Sequence, residues 1–202
     1  MSIKKIFSIL AIFGILWGFS CFYMKFFLSD LNSKQTFEFP LSSANSIVVN
    51  TDGLIFIGLQ HFSRIQVYDE KGDFVKNWRV NSKGGLFYLE ISPNDSIIVY
   101  TARGGIKQTY NTDGLLLKTI RYSNLSESIY NQQKVFTSNG NRYKISESNN
   151  FPVIKKNEKV IIDQGLFLKS ITFPNGLILG LFSFVILIAA NLKTILKVLK
   201  VK

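Results

Sequence analysis

Two long apolar segments enclose a polar middle part of the chain, in which short apolar runs alternate with turns. The first segment, Ile6 to Leu28, contains one charged residue, Lys25, and the second, Ile171 to Leu192, contains none. About 20 helical residues cover a hydrocarbon core of roughly 30 Å, so each segment is predicted to form a transmembrane helix. The pattern therefore predicts an integral membrane protein with two spans.

The two ends of the chain carry six lysines and no acidic residue. The positive-inside rule then places both termini in the cytoplasm and the middle part outside it. The predicted organisation is a cytoplasmic tail (1–5), a transmembrane helix acting as signal anchor (6–28), an extracytoplasmic β domain (29–170), a second transmembrane helix (171–192) and a basic cytoplasmic tail (193–202). A cleaved signal peptide is the alternative for the first segment. The composition, rich in Lys, Ile, Asn and Phe, favours a bacterial inner-membrane protein.

The net charge of +11 is concentrated outside the middle part of the chain. Residues 29–170 contain 17 basic and 13 acidic residues, without a basic helix interleaved with aromatic residues. Nucleic acid is therefore not a predicted partner. The predicted partners are the lipid bilayer and either a protein or further copies of this chain.

Each apolar segment has two glycines four residues apart: Gly14 and Gly18 in the first, Gly176 and Gly180 in the second. Paired glycines on one helix face allow two backbones to approach closely. We therefore interpret these four residues as candidate helix–helix packing sites, although the pattern also arises by chance in apolar sequence.

The middle part is predicted to be an antiparallel β-meander. Its strands are predicted in Ile-, Val-, Phe- and Tyr-rich runs separated by turn signals such as Thr51-Asp52-Gly53 and Thr112-Asp113-Gly114. The clearest runs are Ser46–Val49, Leu54–Ile57, Ile65–Tyr68, Ile97–Tyr100 and Leu115–Lys118. No stretch of this part has a convincing helical period.

A repeat appears when the chain is compared with itself at an offset of 42 residues. Identical residues then coincide at several pairs of positions, among them Gln66 with Gln108, Tyr68 with Tyr110, Gly72 with Gly114, and Lys76 with Lys118. A period in the forties that contains four strands is typical of propeller blades.

The segments Ile47–Ile57 and Ser63–Phe74 together resemble an NHL repeat, with its Asp-Gly turn, its Arg-Ile-Gln-Val-Tyr strand and its Asp-x-x-Gly turn. The first copy covers about 44–80, a second about 86–122, and a degenerate third about 130–168. The resemblance implies four-stranded propeller-like blades and a role in recognition rather than catalysis.

Three blades are too few for a closed propeller, which needs at least about four. The domain is therefore expected to be an incomplete or open propeller that associates with itself or docks on a partner. The alternative is a small β-sandwich or barrel with a repeat-like sequence.

The sequence contains few residues suited to catalysis. His61 is the only histidine and Cys21 the only cysteine, so no catalytic, metal or cofactor site is predicted. Five aromatic residues are the candidate recognition surface: Phe62, Trp78, Tyr88, Tyr110 and Tyr122.

The leading functional hypothesis is a non-enzymatic membrane protein that presents an extracytoplasmic β-propeller-like domain for binding or scaffolding. The alternative is an accessory subunit of a membrane transporter or envelope enzyme that acts through its helices.

Overall fold

The computed structural model describes residues 3–26, 37–122, 134–170, 178, 180–189 and 191. These residues form three helices and twelve strands. The helices are α1 (Ile3–Phe26), α2 (Leu166–Ser170) and α3 (180–189, with further helical backbone at 178 and 191). The strands are β1 (Ala44–Val49), β2 (Ile55–Leu59), β3 (Arg64–Tyr68), β4 (Phe74–Arg79), β5 (Phe87–Ile91), β6 (Ile97–Thr101), β7 (Ile106–Tyr110), β8 (Leu116–Arg121), β9 (Val135–Ser138), β10 (Asn141–Ser148), β11 (Phe151–Lys156) and β12 (Lys159–Ile162).

The chain divides into two compact units, which we describe separately. One contains Met1–Leu28 and Ser170–Lys202, and the other contains Ser29–Lys169. The second unit is the β domain. Two short 3-10 turns, Leu41–Ser43 and Gln60–Phe62, lie before β1 and between β2 and β3.

The β domain consists of three four-stranded antiparallel sheets, each formed by four strands that follow one another in the sequence. The first sheet contains β1–β4, the second β5–β8 and the third β9–β12. The turns that join the strands contain the predicted Asx residues. In the third turn of the first sheet, Asp69 Oδ1 accepts hydrogen bonds from the backbone N–H groups of Lys71 and Asp73, both at 2.9 Å.

The first sheet lies between the other two, because β1 contacts β5 of the second sheet and both β9 and β10 of the third. One face of the first sheet packs on one face of the second and forms a common core. This core contains Val48, Phe56, Ile65, Val67, Trp78 and Val80 from the first sheet and its linker, and Phe87, Leu89, Ile97, Val99 and Tyr110 from the second.

A buried glutamine fixes the second sheet to the end of the first. Gln108 accepts a hydrogen bond from the backbone N–H of Asn81 (3.2 Å) and donates one to its carbonyl oxygen (2.9 Å). The Tyr110 hydroxyl donates to the same Gln108 Oε1 at 2.6 Å. Burial raises the pKa of Tyr110 to about 12, which keeps this hydroxyl protonated as a donor.

The equivalent glutamine of the first sheet makes the same contact 42 residues earlier. Gln66 accepts from the backbone N–H of Phe39 (2.8 Å) and donates to its carbonyl oxygen (3.0 Å). Burial and the neighbouring Glu38 carboxylate raise the pKa of the adjacent Tyr68 hydroxyl. That hydroxyl donates to Glu38 at 2.7 Å.

Gln164, which follows the last strand of the third sheet, joins this network. Its amide donates to the Phe39 carbonyl (2.8 Å) and to Glu38 Oε1 (2.7 Å), and its Oε1 accepts from the Leu41 N–H (2.7 Å). The segment before β1 and the segment after β12 are therefore held together, although more than 120 residues separate them in the sequence.

The prediction of two membrane spans is contradicted. In the part of the chain that the structure describes, no helix combines the length and the apolar character needed to cross a membrane. A crossing needs about 20 consecutive apolar residues. The prediction of two transmembrane helices flanking the β domain is therefore wrong. The predicted two-span localisation, with both termini in the cytoplasm, is wrong with it. The tail 193–202 lies outside the described residues.

Candidate functional site

Most of the aromatic residues predicted to form a recognition surface lie in the core. Phe62, Trp78 and Tyr110 are each less than 5% exposed. Trp78 packs between the first two sheets, with its ring 6.1 Å from that of Phe56 and 6.3 Å from that of Tyr110. These side chains stabilise sheet packing and do not form a surface patch.

The remaining two predicted residues, Tyr88 and Tyr122, belong to the side of the second sheet that faces away from the first. Tyr88 is 5% exposed and Tyr122 is half-buried. Tyr88 lies opposite Tyr100 in the β5–β6 register, and Tyr100 lies opposite Lys107 in the β6–β7 register. This side therefore places aromatic and charged side chains next to one another.

We call this side the tyrosine face and define it by Glu90, Ile98, Tyr100, Lys107, Ile120 and Tyr122. The rings of Tyr100 and Tyr122 meet edge to face at 5.6 Å, and the Lys107 ammonium lies 5.1 Å from the Tyr100 ring centre. The Tyr100 hydroxyl donates to Glu90 at 2.6 Å. Burial, followed by the Glu90 carboxylate, raises the pKa of Tyr100, and burial raises that of Tyr122, so both remain neutral hydrogen-bonding groups.

The repeat shows how the tyrosine face differs from the buried face of the first sheet. Its residues Glu90, Ile98, Lys107 and Ile120 lie 42 positions after Val48, Phe56, Ile65 and Trp78, which form the buried face of the first sheet. Two of the four apolar residues of the first sheet, Val48 and Ile65, are thus replaced in the second sheet by the charged residues Glu90 and Lys107. A terminal repeat with a polar outer face ends a stack of repeats, so the second sheet has the composition of an end unit.

Strand β8 forms the edge of the second sheet, with Lys118 and Ile120 on the tyrosine face and Arg121 on the opposite side, and all six of its residues are exposed. Four large apolar side chains are 41–61% exposed along this edge: Leu115, Leu116, Leu117 and Ile120. Lys118 and Arg121 add positive charge. Among the described strands β8 pairs with β7 alone, and an unpaired strand edge is a template for pairing with another chain.

The glycines predicted to pack between helices lie in the helical unit. A Cβ atom added to Gly180 would lie 3.0 Å from the Cα atom of Gly18 and 3.5 Å from the carbonyl oxygen of Gly14. The structure thus brings these three glycines together, whereas Gly176 lies outside the described residues. Ala11 and Cys21 share the buried side of α1 with Gly14 and Gly18.

The residues considered for catalysis, His61 and Cys21, belong to different units of the chain. His61 lies in the 3-10 turn Gln60–Phe62, where its backbone N–H donates to Ser43 Oγ at 3.1 Å. Cys21 is a buried free cysteine of α1, and burial raises its pKa. The described part of the chain has no group of three His, Cys, Asp or Glu residues placed to hold a metal ion.

Two features of the site were not predicted from the sequence. Tyr100 was assigned to a strand but not to a surface, although its alternation with Ile98 gave the signal. The second is a separate cleft lined by Lys134, Lys144 and Lys155. The sequence gives no signal for it, because the third repeat is degenerate and does not specify its strand register.

The three sheets of four antiparallel strands define a propeller-like β fold. Solved structures to which the chain is similar include the selenomethionine-substituted virginiamycin B lyase from Staphylococcus aureus, at 12% identity and a TM-score of 0.37, covering 61% of this chain and 44% of that chain. A protein of unknown function from Bacteroides caccae is similar at 15% identity and a TM-score of 0.34, over 59% and 48% of the two chains.

A catalytically inactive variant of the same lyase with quinupristin is similar at 13% identity and a TM-score of 0.36, over 61% and 44% of the two chains. This chain therefore spans less than half the length of each of these structures. No family model matches the sequence, so the NHL resemblance has no support from that comparison, and no curated protein matches it.

Proposed function

We propose that the β domain is a non-catalytic protein-binding module that captures an extended segment of its partner along β8 and the tyrosine face. The observation that carries the proposal is the exposure of the whole of β8, with four large apolar side chains beside a backbone edge that no other described strand pairs with. An added strand would satisfy that edge with main-chain hydrogen bonds and would cover these side chains.

The side chains of the edge specify what the partner segment should look like. Leu117 and Ile120 offer apolar contacts, while Lys118 and Arg121 offer positive charge without an acidic residue in the strand. A complementary segment is therefore extended and apolar, with acidic side chains. Acidic groups would also steer the encounter and make the association sensitive to salt.

The non-catalytic part of the proposal rests on composition. A single histidine and a single cysteine leave little scope for a general base or an activated nucleophile. The half-buried phenols of the tyrosine face are suited to stacking and hydrogen bonding, which are the usual contributions of tyrosine at protein interfaces.

A photo-crosslinking amino acid placed at Leu117 tests the proposal in cells that produce the full chain. Val75 is the matched control, because it lies 42 residues earlier at the equivalent position of β4 and is 46% exposed, compared with 54% for Leu117. We expect one discrete crosslinked protein from position 117 and none from position 75. Equal products from both positions, or none from either, would contradict the proposal.

Charge reversal provides a second test of the partner's chemistry. Lys118→Glu and Arg121→Glu together should lower the crosslinking yield at position 117 by about tenfold, the equivalent of about 1.4 kcal/mol. Raising the salt concentration should have the same effect on the unmodified chain. A yield that the charge reversal leaves unchanged would exclude an acidic partner segment.

A further inference from the structure

A cleft of about 450 Å³ lies where the 3-10 turn Leu41–Ser43 and the start of β1 approach strands β10 and β11 of the third sheet. Ser42 and Ala44 line it on one side and three lysines on the other. Its volume falls within the range of sites that hold small ligands. The cleft is distinct from β8 and the tyrosine face, which belong to the second sheet.

The lysines of the cleft are placed close together by the strand register. Lys144 of β10 and Lys155 of β11 are directly opposed across the two strands. Lys134 is held beside them, because its carbonyl oxygen accepts a hydrogen bond from the N–H of Ile145 at 2.9 Å. Like charges directly opposite each other destabilise an antiparallel pair, so the arrangement has a cost when the cleft is empty.

The protein does not neutralise these three charges from within its described part, where none of the three lysines forms an ion pair. Glu147 is the one acidic residue among the described residues that line the cleft, and it is exposed. Three ammonium groups beside one carboxylate leave the cleft with a net positive charge. An anion that enters it would remove the repulsion between Lys144 and Lys155.

Ser42 adds a hydrogen-bonding group at the wall of the cleft. Its Oγ is buried and has no hydrogen-bond partner within the described residues. A buried hydroxyl without a partner costs free energy relative to a bonded one. Because solvent does not reach this oxygen, the cleft would hold an anion through its three lysines.

We infer that this cleft binds a phosphate group. Lysine binds phosphate as a compact point charge through donors that can rotate, and a dianion matches three ammonium groups better than a monoanion does. Inorganic phosphate and the phosphate of a larger ester share this chemistry, so the experiment includes both sources.

The test is titration of the full chain with sodium phosphate and with glycerol 3-phosphate, at constant ionic strength in chloride buffer, followed by calorimetry and by thermal unfolding. We expect saturable binding of at least one of the two, and affinity reduced by about tenfold in Lys144→Gln and in Lys155→Gln. Tighter binding of the ester would identify a larger phosphorylated ligand, and tighter binding of phosphate would identify the free ion.

Two further variants make the result specific to the cleft. Lys71→Gln removes an exposed lysine from the turn between β3 and β4 and should leave the affinity unchanged. Lys134→Gln removes a cleft lysine that lies outside the strand pairing, so it tests the site even if a strand variant fails to fold.

Phosphate also stabilises proteins without a site, by exclusion from their surface. That effect rises without saturation and is the same in all variants. If the thermal shift in phosphate has this form, or if the variants of Lys134, Lys144 and Lys155 bind as the original chain does, the inference is overturned. The repulsion between Lys144 and Lys155 provides an independent test. In chloride alone, Lys155→Gln should raise the melting temperature, because it removes this repulsion. In saturating phosphate the same variant should lower the melting temperature, because it weakens phosphate binding.

Discussion

A turn glycine at the same place in two repeats determines how closely neighbouring sheets approach. Gly72 and Gly114 lie 42 residues apart and both have positive φ angles, of 94° and 80°. A Cβ atom on Gly114 would lie 2.5 Å from Cδ2 of Trp78 in β4, and one on Gly72 would clash with the carbonyl oxygen of Ile161 in β12. Each glycine therefore both forms its own turn and makes room for the outer strand of the adjacent sheet.

These two requirements can be separated by comparing Gly114 with Gly140. Gly140 also has a positive φ, of 72°, but a Cβ atom there would meet nothing within 4 Å. Gly140→Ala should therefore lose only the conformational term, about 1–2 kcal/mol. Gly114→Ala should lose a further 1–3 kcal/mol, roughly, because the Trp78 indole has to move. Urea denaturation of the full chain measures both losses, and equal losses would show that contact with Trp78 does not restrict the turn.

At the level of elements, the contact between α1 and α3 depends on the absence of side chains. Gly180→Leu should separate the two helices, because the added Cβ would lie 3.0 Å from a backbone atom of Gly18, which cannot move as a side chain can. Cys21 reports the separation, since it is 1% exposed, is the only cysteine, and has a pKa raised by burial.

Alkylation of Cys21 by a maleimide should therefore be slow in the original chain. It should be about tenfold faster or more in Gly180→Leu, given an overpacking cost of about 1–3 kcal/mol. Phe182→Leu is the control, because Phe182 lies on α3 but is 63% exposed. An unchanged rate in Gly180→Leu would mean that the glycine contact does not hold the helices together.

The strands were the most predictable elements. The run Ser46–Val49 lies within β1, and the turn signal at Thr112-Asp113-Gly114 joins β7 to β8, because alternating apolar residues and Asx-Gly turns are local features of the sequence. The four-strand period likewise predicted three sheets.

Burial was less predictable: Trp78 and Tyr110 were expected at a surface, and only the face-to-face packing of two sheets shows that they are core residues.

The prediction of membrane spans failed for a different reason. The length and hydropathy of the two apolar segments favour a crossing, whereas no helix in the described part of the chain meets both criteria. The order of the sheets could not be predicted either. It depends on Gln164, whose partners Phe39 and Leu41 lie more than 120 residues away, and no local pattern specifies such a contact.

For the β domain as a whole, the spatial order of the sheets is third, first, second, and two glutamine contacts hold the two junctions. Gln108 ties the second sheet to Asn81 at the end of the first. At the other junction, Gln164 ties the end of the third sheet to the segment that leads into the first. Each glutamine is therefore expected to control the opening of one outer sheet.

Hydrogen exchange of the full chain tests whether the two junctions are independent. Gln164→Ala leaves the Leu41 N–H without its partner and removes one donor from Glu38, and each unsatisfied buried group costs about 1–3 kcal/mol. Amides of β10 and β11 should then exchange about tenfold faster or more, while those of β6 and β7 keep their protection. Gln108→Ala should give the reciprocal pattern, with faster exchange in β6 and β7 and unchanged exchange in β10 and β11. Acceleration of all three sheets by either variant would mean that the domain opens as one cooperative unit, and the two glutamines would then stabilise the whole domain and not a particular junction.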